Sequence, residues 1–259
     1  MSSKLYEKHN YLNKNILYLK NTSIIEYDIH SAGTCILYEL GLIKEDNFKY
    51  LMSLDKFTRN VYIGRLLKKH PKWNKLQMNG FSDVMRRFIE LNNIEDNEIL
   101  SIKKDSITII GRPIKKLKVD NLYEFHIDGK YNSYMYLKKK EIYIDTKTMG
   151  FNTKNFGETV LEVQTEYFIN FILSLMILDS KRNNKNLIYS ELKNFRSQFL
   201  NRELDHDYYY DLDEDGYVYN FNGTILRSMY KSEDKNLYSI DNNYSYLEDL
   251  IKLLLIENK

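Results

Sequence analysis

Cysteine is almost absent: the chain has one, Cys35, which excludes an internal disulfide. It lies in the apolar run Thr34-Cys35-Ile36-Leu37, where it is expected to pack as a small hydrophobe. Proline and glycine are also scarce, 2 and 10 of 259 residues, and no stretch rich in Gly, Ser or Pro marks a linker. The longest apolar stretch, Phe168 to Leu178, is interrupted by Asn170 and Ser174 and falls short of the roughly 20 residues that a bilayer requires. The amino-terminal Met1-Ser2-Ser3-Lys4 is polar and lacks an apolar signal region, so the chain is expected to stay in the cytoplasm where it is made, with no membrane partner. Net charge is only +2, well below that of a protein that coats DNA. His30, His70, His126 and His206 share no metal-ligand spacing with one another or with Cys35, which argues against zinc. No Gly-rich phosphate loop is present, because Gly150 through Gly157 lacks the Lys-Ser/Thr ending.

What is present is an ordinary globular balance, 43% hydrophobic and 29% charged, which excludes a disordered tail. Ile24-Ile25-Glu26-Tyr27-Asp28-Ile29 reads as a buried strand running into the small-residue turn His30-Ser31-Ala32-Gly33. Helical spacing follows through Ile36, Leu37, Leu40 and Leu42, then as one helix from Leu51 to Leu67 ended by Pro71, then from about Asn74 to Leu91. Two strands flank Lys103-Lys104-Asp105 as a hairpin, and Gly111 closes the second. Asp128-Gly129 is expected to turn a second hairpin, and Glu141 to Asp145 adds a strand. Beyond Gly157 the pattern becomes mainly helical, over Val160 to Leu178, Leu187 to Leu200 and Tyr246 to Ile256, with a hairpin about Asp213-Glu214-Asp215-Gly216. The expectation is an α+β fold: an antiparallel sheet with packed helices over 1–156, then a mainly helical region with a β-hairpin over 157–259.

Asp28 ends an apolar strand and Asp105 sits at the bend of an apolar hairpin. A carboxylate so placed costs free energy unless it is paired or binds a cation. Two carboxylates on a rigid frame of strand ends are also what metal-assisted phosphoryl transfer requires. The competing reading is that Asp28 caps the helix starting near Ala32 and that Asp105 is a turn former beside solvated lysines.

Tyr27-Asp28-Ile29-His30-Ser31-Ala32-Gly33-Thr34-Cys35-Ile36-Leu37 resembles the first palm motif of family B DNA polymerases, an aspartate, two variable residues and Ser-Leu-Tyr-Pro before an apolar helix. Ser101 through Ile107 resembles the third motif, with Asp105-Ser106 standing at its last Asp-Ser and Lys103 where its first aspartate would be. Arg59-Asn60-Val61-Tyr62-Ile63-Gly64 is similar to a shortened fingers helix, and Gly129-Lys130-Tyr131 to the Lys-x-Tyr element that touches primer–template. The resemblance spans roughly Ile24 to Phe156, in the family's order, in a reduced, phage-type form without room for an exonuclease domain before Asp28. It implies a palm-like sheet, a thumb-like region beyond 156, a host-cytoplasm location and template-directed nucleotidyl transfer. In that reading Asp28 and Asp105 are catalytic and hold Mg²⁺ or Mn²⁺. Arg59 and Arg65 meet a dNTP, and Lys103, Lys104, Lys130 and Tyr131 contact primed DNA. The alternative is a palm-derived subunit without chemistry that binds nucleic acid or protein partners in a phage replication or transcription assembly.

Further features carry their own alternatives. Clusters at Arg65, Lys68, Lys69 and Lys72, at Arg112, Lys115, Lys116 and Lys118, and at Lys138 to Lys140 are candidate basic grooves or simply solvated surface. Asp211 to Gly216 matches the start of a calcium loop, but Asn222 stands where a closing Glu is needed and the tyrosine-rich flanks favour a hairpin. Trp73 is a candidate for stacking on a base or for anchoring a helix start, and Tyr123, Tyr131, Tyr134 and Tyr136 interleave with lysines as a nucleic-acid sheet would, or as cross-strand packing would.

Overall fold

The computed structural model describes residues 5–137, 140–154, 165–182, 185–201, 203, 211–212, 217–219 and 225–228. It is an α+β protein with antiparallel strand pairing and packed helices, in two units: 1–15 with 22–130, and 16–21 with 131–259. The change in composition near Gly157 therefore lies well inside the second unit.

The first unit is built on a five-stranded sheet. Its strands are β1 (Asn10–Leu12), β3 (Ile24–Ile29), β4 (Ile99–Lys103), β5 (Ser106–Ile110) and β6 (Phe125–Tyr131). Their order is β1-β4-β5-β3-β6, and Tyr131, the last residue of β6, belongs to the second unit. Four helices accompany the sheet: α1 (Ala32–Glu39), α2 (Glu45–Ser53), α3 (Lys56–Lys69) and α4 (Pro71–Asn92). One stripe of α4 is apolar at helical spacing, and Phe81, Val84, Met85, Phe88 and Ile89 join the core with Ile25, Tyr27, Ile107 and Ile109 of the sheet. Phe88 stacks on Phe125 at 3.8 Å between ring centroids, and the Tyr27 hydroxyl accepts from the Ile114 N–H at 2.7 Å, so a buried phenol is satisfied.

The helix expected from Leu51 to Leu67 is two helices. Its break falls at Leu54-Asp55, where the Asp55 carboxylate accepts from the Thr58 N–H at 3.0 Å and caps α3. Apolar periodicity alone missed the cap. Pro71 ends α3 as expected but also opens α4 from its first position, where the missing N–H costs nothing. Asp128-Gly129 is not a turn: both lie inside β6, because pairing along the sheet edge overrides a turn-prone dipeptide.

In the second unit β2 (Tyr18–Leu19), β7 (Ser133–Leu137), β8 (Lys140–Ile144) and β9 (Phe151–Lys154) form an antiparallel sheet. Its core joins Met135, Ile142 and Ile144 to α5 (Thr165–Arg182) and α6 (Lys185–Leu200) through Ile172, Met176, Ile188 and Leu192. Asp179 of α5 is buried, accepts from the Tyr18 hydroxyl at 2.9 Å and pairs with Lys20 at 3.0 Å, which ties the excursion 16–21 to this unit. Tyr134 and Tyr143 are cross-strand partners with fully buried rings, and Tyr123 is buried in the first unit with its hydroxyl donating to Glu39. These three tyrosines are core, not a surface for bases. β10 (Asp211–Leu212) and β11 (Tyr217–Tyr219) pair antiparallel, and β12 (Ile225–Ser228) pairs with β11. The acidic stretch Asp213 to Gly216, the first residues of the expected Val160 helix, Lys138, Lys139 and the expected Tyr246 to Ile256 helix lie outside the described residues.

α4 packs tightly on α1 at Gly80, where an added Cβ would collide with Ile36 Cγ2. Helix propensity favours alanine at such a site, but overpacking opposes it by about 1–3 kcal/mol. Gly80→Ala is therefore expected to destabilise the protein by a similar amount, read as a lower urea midpoint at unchanged slope; a neutral or raised midpoint would refute this packing.

Candidate active site

β3 runs between β5 and β6, and its Ile24, Ile25, Tyr27 and Ile29 side chains are all buried. Asp28 is the half-buried exception, one residue before the strand ends. The chain then turns through His30 and Ser31. Ser31 adopts a left-handed conformation at φ +56°, and its carbonyl accepts from the N–H groups of Thr34 and Cys35 at 2.9 and 3.1 Å. Ser31 is the residue at the start of α1, without a side-chain cap, so Asp28 does not serve as the cap. The Gln77 side chain of α4 donates to the Gly33 carbonyl at 3.1 Å and fixes this turn from outside.

Asp105 reaches the same place from the other direction. Lys103 pairs with Ser106, leaving Lys104-Asp105 as a two-residue turn with Lys104 at φ +52°. Asp28 lies opposite Ser106 in the β3–β5 register, and the Ile29 N–H donates to the Asp105 carbonyl at 3.2 Å. Both aspartates line one cavity of about 180 Å³, together with His30, Ser31, Lys56, Arg59, Asn60 and His126. Arg59 is only 6% exposed and its guanidinium donates to the Leu54 carbonyl at 3.1 Å. An adjoining cavity of about 540 Å³ shares His30 and His126 and has Phe48, Met52 and Leu122 in its walls.

Burial pushes the Asp28 carboxyl up to about 6, with the nearby Asp105 charge adding to it; the backbone at Ile29 and His126 work in the opposite direction. Asp105 is also raised by burial, against the neighbouring Lys104 and Lys56. Two carboxylates held in one partly dry cavity repel each other, and a divalent cation between them relieves that repulsion. No cluster of three or more His, Cys, Asp or Glu side chains within reach of a metal occurs among the described residues. Such a pair suits Mg²⁺, which takes one or two carboxylates and fills its remaining positions with water and substrate phosphates, rather than an all-protein cage.

Of the residues singled out from the sequence, Asp28, Asp105 and Arg59 are brought together. Arg65 is exposed on α3 and does not line this cavity. Lys103 lies half-buried in β4, Lys104 is exposed at the hairpin tip, and Lys130 is exposed on β6. Tyr131 falls in the second unit, with its ring 5.3 Å from that of Tyr143. Trp73 is half-buried in the first turn of α4, where it stacks on His70 at 4.3 Å and packs against the cluster of Leu37, Ile43, Leu51 and Ile63. Sequence reading missed Lys56, Asn60 and His126. Lys56 and Asn60 lie with Arg59 and Ile63 on one face of α3, a grouping visible only once that helix is started at its Asp55 cap. His126 was hidden by reading its strand as half of a tight hairpin.

The raised carboxyl has a consequence for stability. An Asp28 pKa near 6 when folded, against 3.8 when unfolded, means that the folded state binds more protons between these values. Stability therefore falls as pH rises from about 3.8 to about 6 and stays lower above it. Without metal, Asp28→Asn is expected to raise the thermal midpoint at pH 7 and to leave it unchanged near pH 3.5. An equal shift at both pH values would show that charge burial is not the cause.

No curated protein matches the chain. Among solved structures, the family B DNA polymerase from the hyperthermophilic archaeon Pyrobaculum calidifontis is similar with a TM-score of 0.46 and 12% identity, over 94% of this chain and 46% of that one. The chain thus spans about half the length of that polymerase. A family model described as bacteriophage PBS1 gene 130 protein matches residues 1–256, and the chain belongs to that phage protein family.

Proposed function

We propose that the Asp28–Asp105 cavity carries out template-directed, divalent-metal-dependent nucleotidyl transfer from a dNTP to primed DNA, in the cytoplasm of the phage's host. The observation that carries this reading is the meeting of two repelling carboxylates with two cations, Arg59 and Lys56, in one cavity. The motif resemblance around Asp28, Arg59 and Asp105 supports it. Asp28 and Asp105 would hold Mg²⁺ or Mn²⁺, which when bound supplies charge neutralisation at the triphosphate and lowers the pKa of the attacking hydroxyl.

The protein's own residues do the remaining work. Arg59, anchored on the Leu54 carbonyl, presents a pre-oriented guanidinium to the phosphates, and Lys56 adds a second charge from the first turn of the same helix. A volume of about 180 Å³ suits phosphate groups and ions rather than a whole nucleotide, and the adjoining cavity of about 540 Å³, with its apolar walls, is of a size for base and sugar. Lys103, Lys104 and Lys130 are charges for the backbone of primer–template.

Primer extension with Mg²⁺ and with Mn²⁺ tests the proposal. The wild-type protein is expected to add nucleotides, and Asp28→Ala and Asp105→Ala each to fall to background while remaining folded. Arg59→Lys is expected to raise the KM for dNTP, because a point charge replaces a bidentate donor. Well-folded wild-type protein that extends no primed template with either ion would overturn the reading, and retained binding of primed DNA in that case would assign the protein to the non-catalytic subunit class.

A further inference from the structure

The near-neutral charge of the chain conceals a segregation. Residues 56–82, which hold α3 and most of α4, contain seven lysines and arginines and no carboxylate. With a whole-chain charge of +2, the remainder is net −5. The arginines that follow are engaged: Arg86 with Asp83 and Glu90, Arg87 with Glu39 and Asp120, Arg112 with Glu98. In contrast Arg65, Lys68, Lys69, Lys72 and Lys75 are all exposed and form no ion pair among the described residues.

The same helix also exposes apolar groups that a solvated face does not need. Phe57 is 78% exposed, and Val61 is exposed one turn further on. At 100° per residue, Phe57, Val61, Gly64, Arg65 and Lys68 fall on one side of α3, opposite the buried Arg59 and Ile63. Nothing lies within 4 Å of the position a Gly64 Cβ would take, so the centre of this face is flat and open. An exposed aromatic ring at the start of α3, followed by unpaired cations along its second half and into α4, offers a stacking surface for a base and charges for a run of phosphates.

We propose that the outer face of the α3–α4 hairpin binds a single strand of nucleic acid, with bases stacking on Phe57 and phosphates running along Arg65, Lys68, Lys69, Lys72 and Lys75. This face points away from the Asp28–Asp105 cavity, and the inference does not rest on nucleotidyl transfer. An acidic protein would also satisfy the cations, and competition by poly-glutamate separates that occupant from a nucleotide chain.

The test is fluorescence anisotropy of a labelled 20-nucleotide single-stranded DNA with the full chain in EDTA, which silences any metal-dependent chemistry. Binding is expected to weaken with salt. Arg65→Glu/Lys68→Glu/Lys69→Glu is expected to weaken it at least tenfold and to flatten the salt slope by about 2, for three lost contacts at roughly 0.7 each. Phe57→Ala is expected to lose fivefold or more with the salt slope unchanged, since stacking releases no counterions. A matched reversal outside the hairpin, Lys14→Glu/Lys147→Glu/Lys181→Glu, controls for net charge. All these positions except Phe57 bear exposed charges, and unchanged unfolding midpoints confirm the fold. The proposal is overturned if the hairpin and control reversals weaken binding equally, if Phe57→Ala binds as wild type, or if poly-glutamate displaces the DNA at equal charge concentration. Failure of primer extension with this binding intact would sink the catalytic reading alone.

Discussion

The register between β3 and the β4–β5 hairpin governs the rest of the first unit. Side chains alternate along a strand, so a slip of one residue would carry Asp28 to the opposite face and bury it among the core residues beside Ile107 and Ile109. The register is specified by burial: Ile25, Tyr27 and Ile29 must face apolar partners, and the pairing of Ile24 with Ile110 through Asp28 with Ser106 is the one that lets them. The hydrogen bond from the Ile29 N–H to the Asp105 carbonyl then brings the hairpin tip against the strand end. The two carboxylates meet because the core leaves the backbone no other alignment.

That meeting is unfavourable by itself: burial raises the Asp28 carboxyl, and the Asp105 charge adds to it. The fold tolerates it through rigid surroundings. Ser31 holds a left-handed turn, Gln77 pins the Gly33 carbonyl, and Gly80 lets α4 press onto α1 just behind. The left-handed turn and the paired carboxylates are the features on which the proposed cation site rests.

Charge shows how a summed property misleads. A net charge of +2 reads as indifference to nucleic acid, yet it is the balance between a hairpin of seven cations and an acidic remainder. Field and binding depend on the local distribution, and only the pairing pattern separates cations already spent on carboxylates, such as Arg87, from those facing solvent, such as Arg65 and Lys68.

The sequence by itself determined the strand that bears Asp28, the hairpin that bears Asp105, the two long helices of the second unit and the α+β character, because each rests on local periodicity and turn chemistry within a few residues. It misread what depends on neighbours distant along the chain. Asp128-Gly129 has the composition of a turn and is a strand because the edge of β3 is there to pair with it. Trp73 is open to two readings in the sequence, stacking on a base or anchoring a helix start, and its packing on His70 and a core cluster favours the second. Lys56 and His126 joined the cavity only through tertiary structure, since one arrives on a helix more than twenty residues from Asp28 and the other on an edge strand nearly a hundred residues away. Local free energies select elements; which elements share a cavity is decided by how the buried faces of β3, α1 and α4 find one another, and no short window of sequence contains that information.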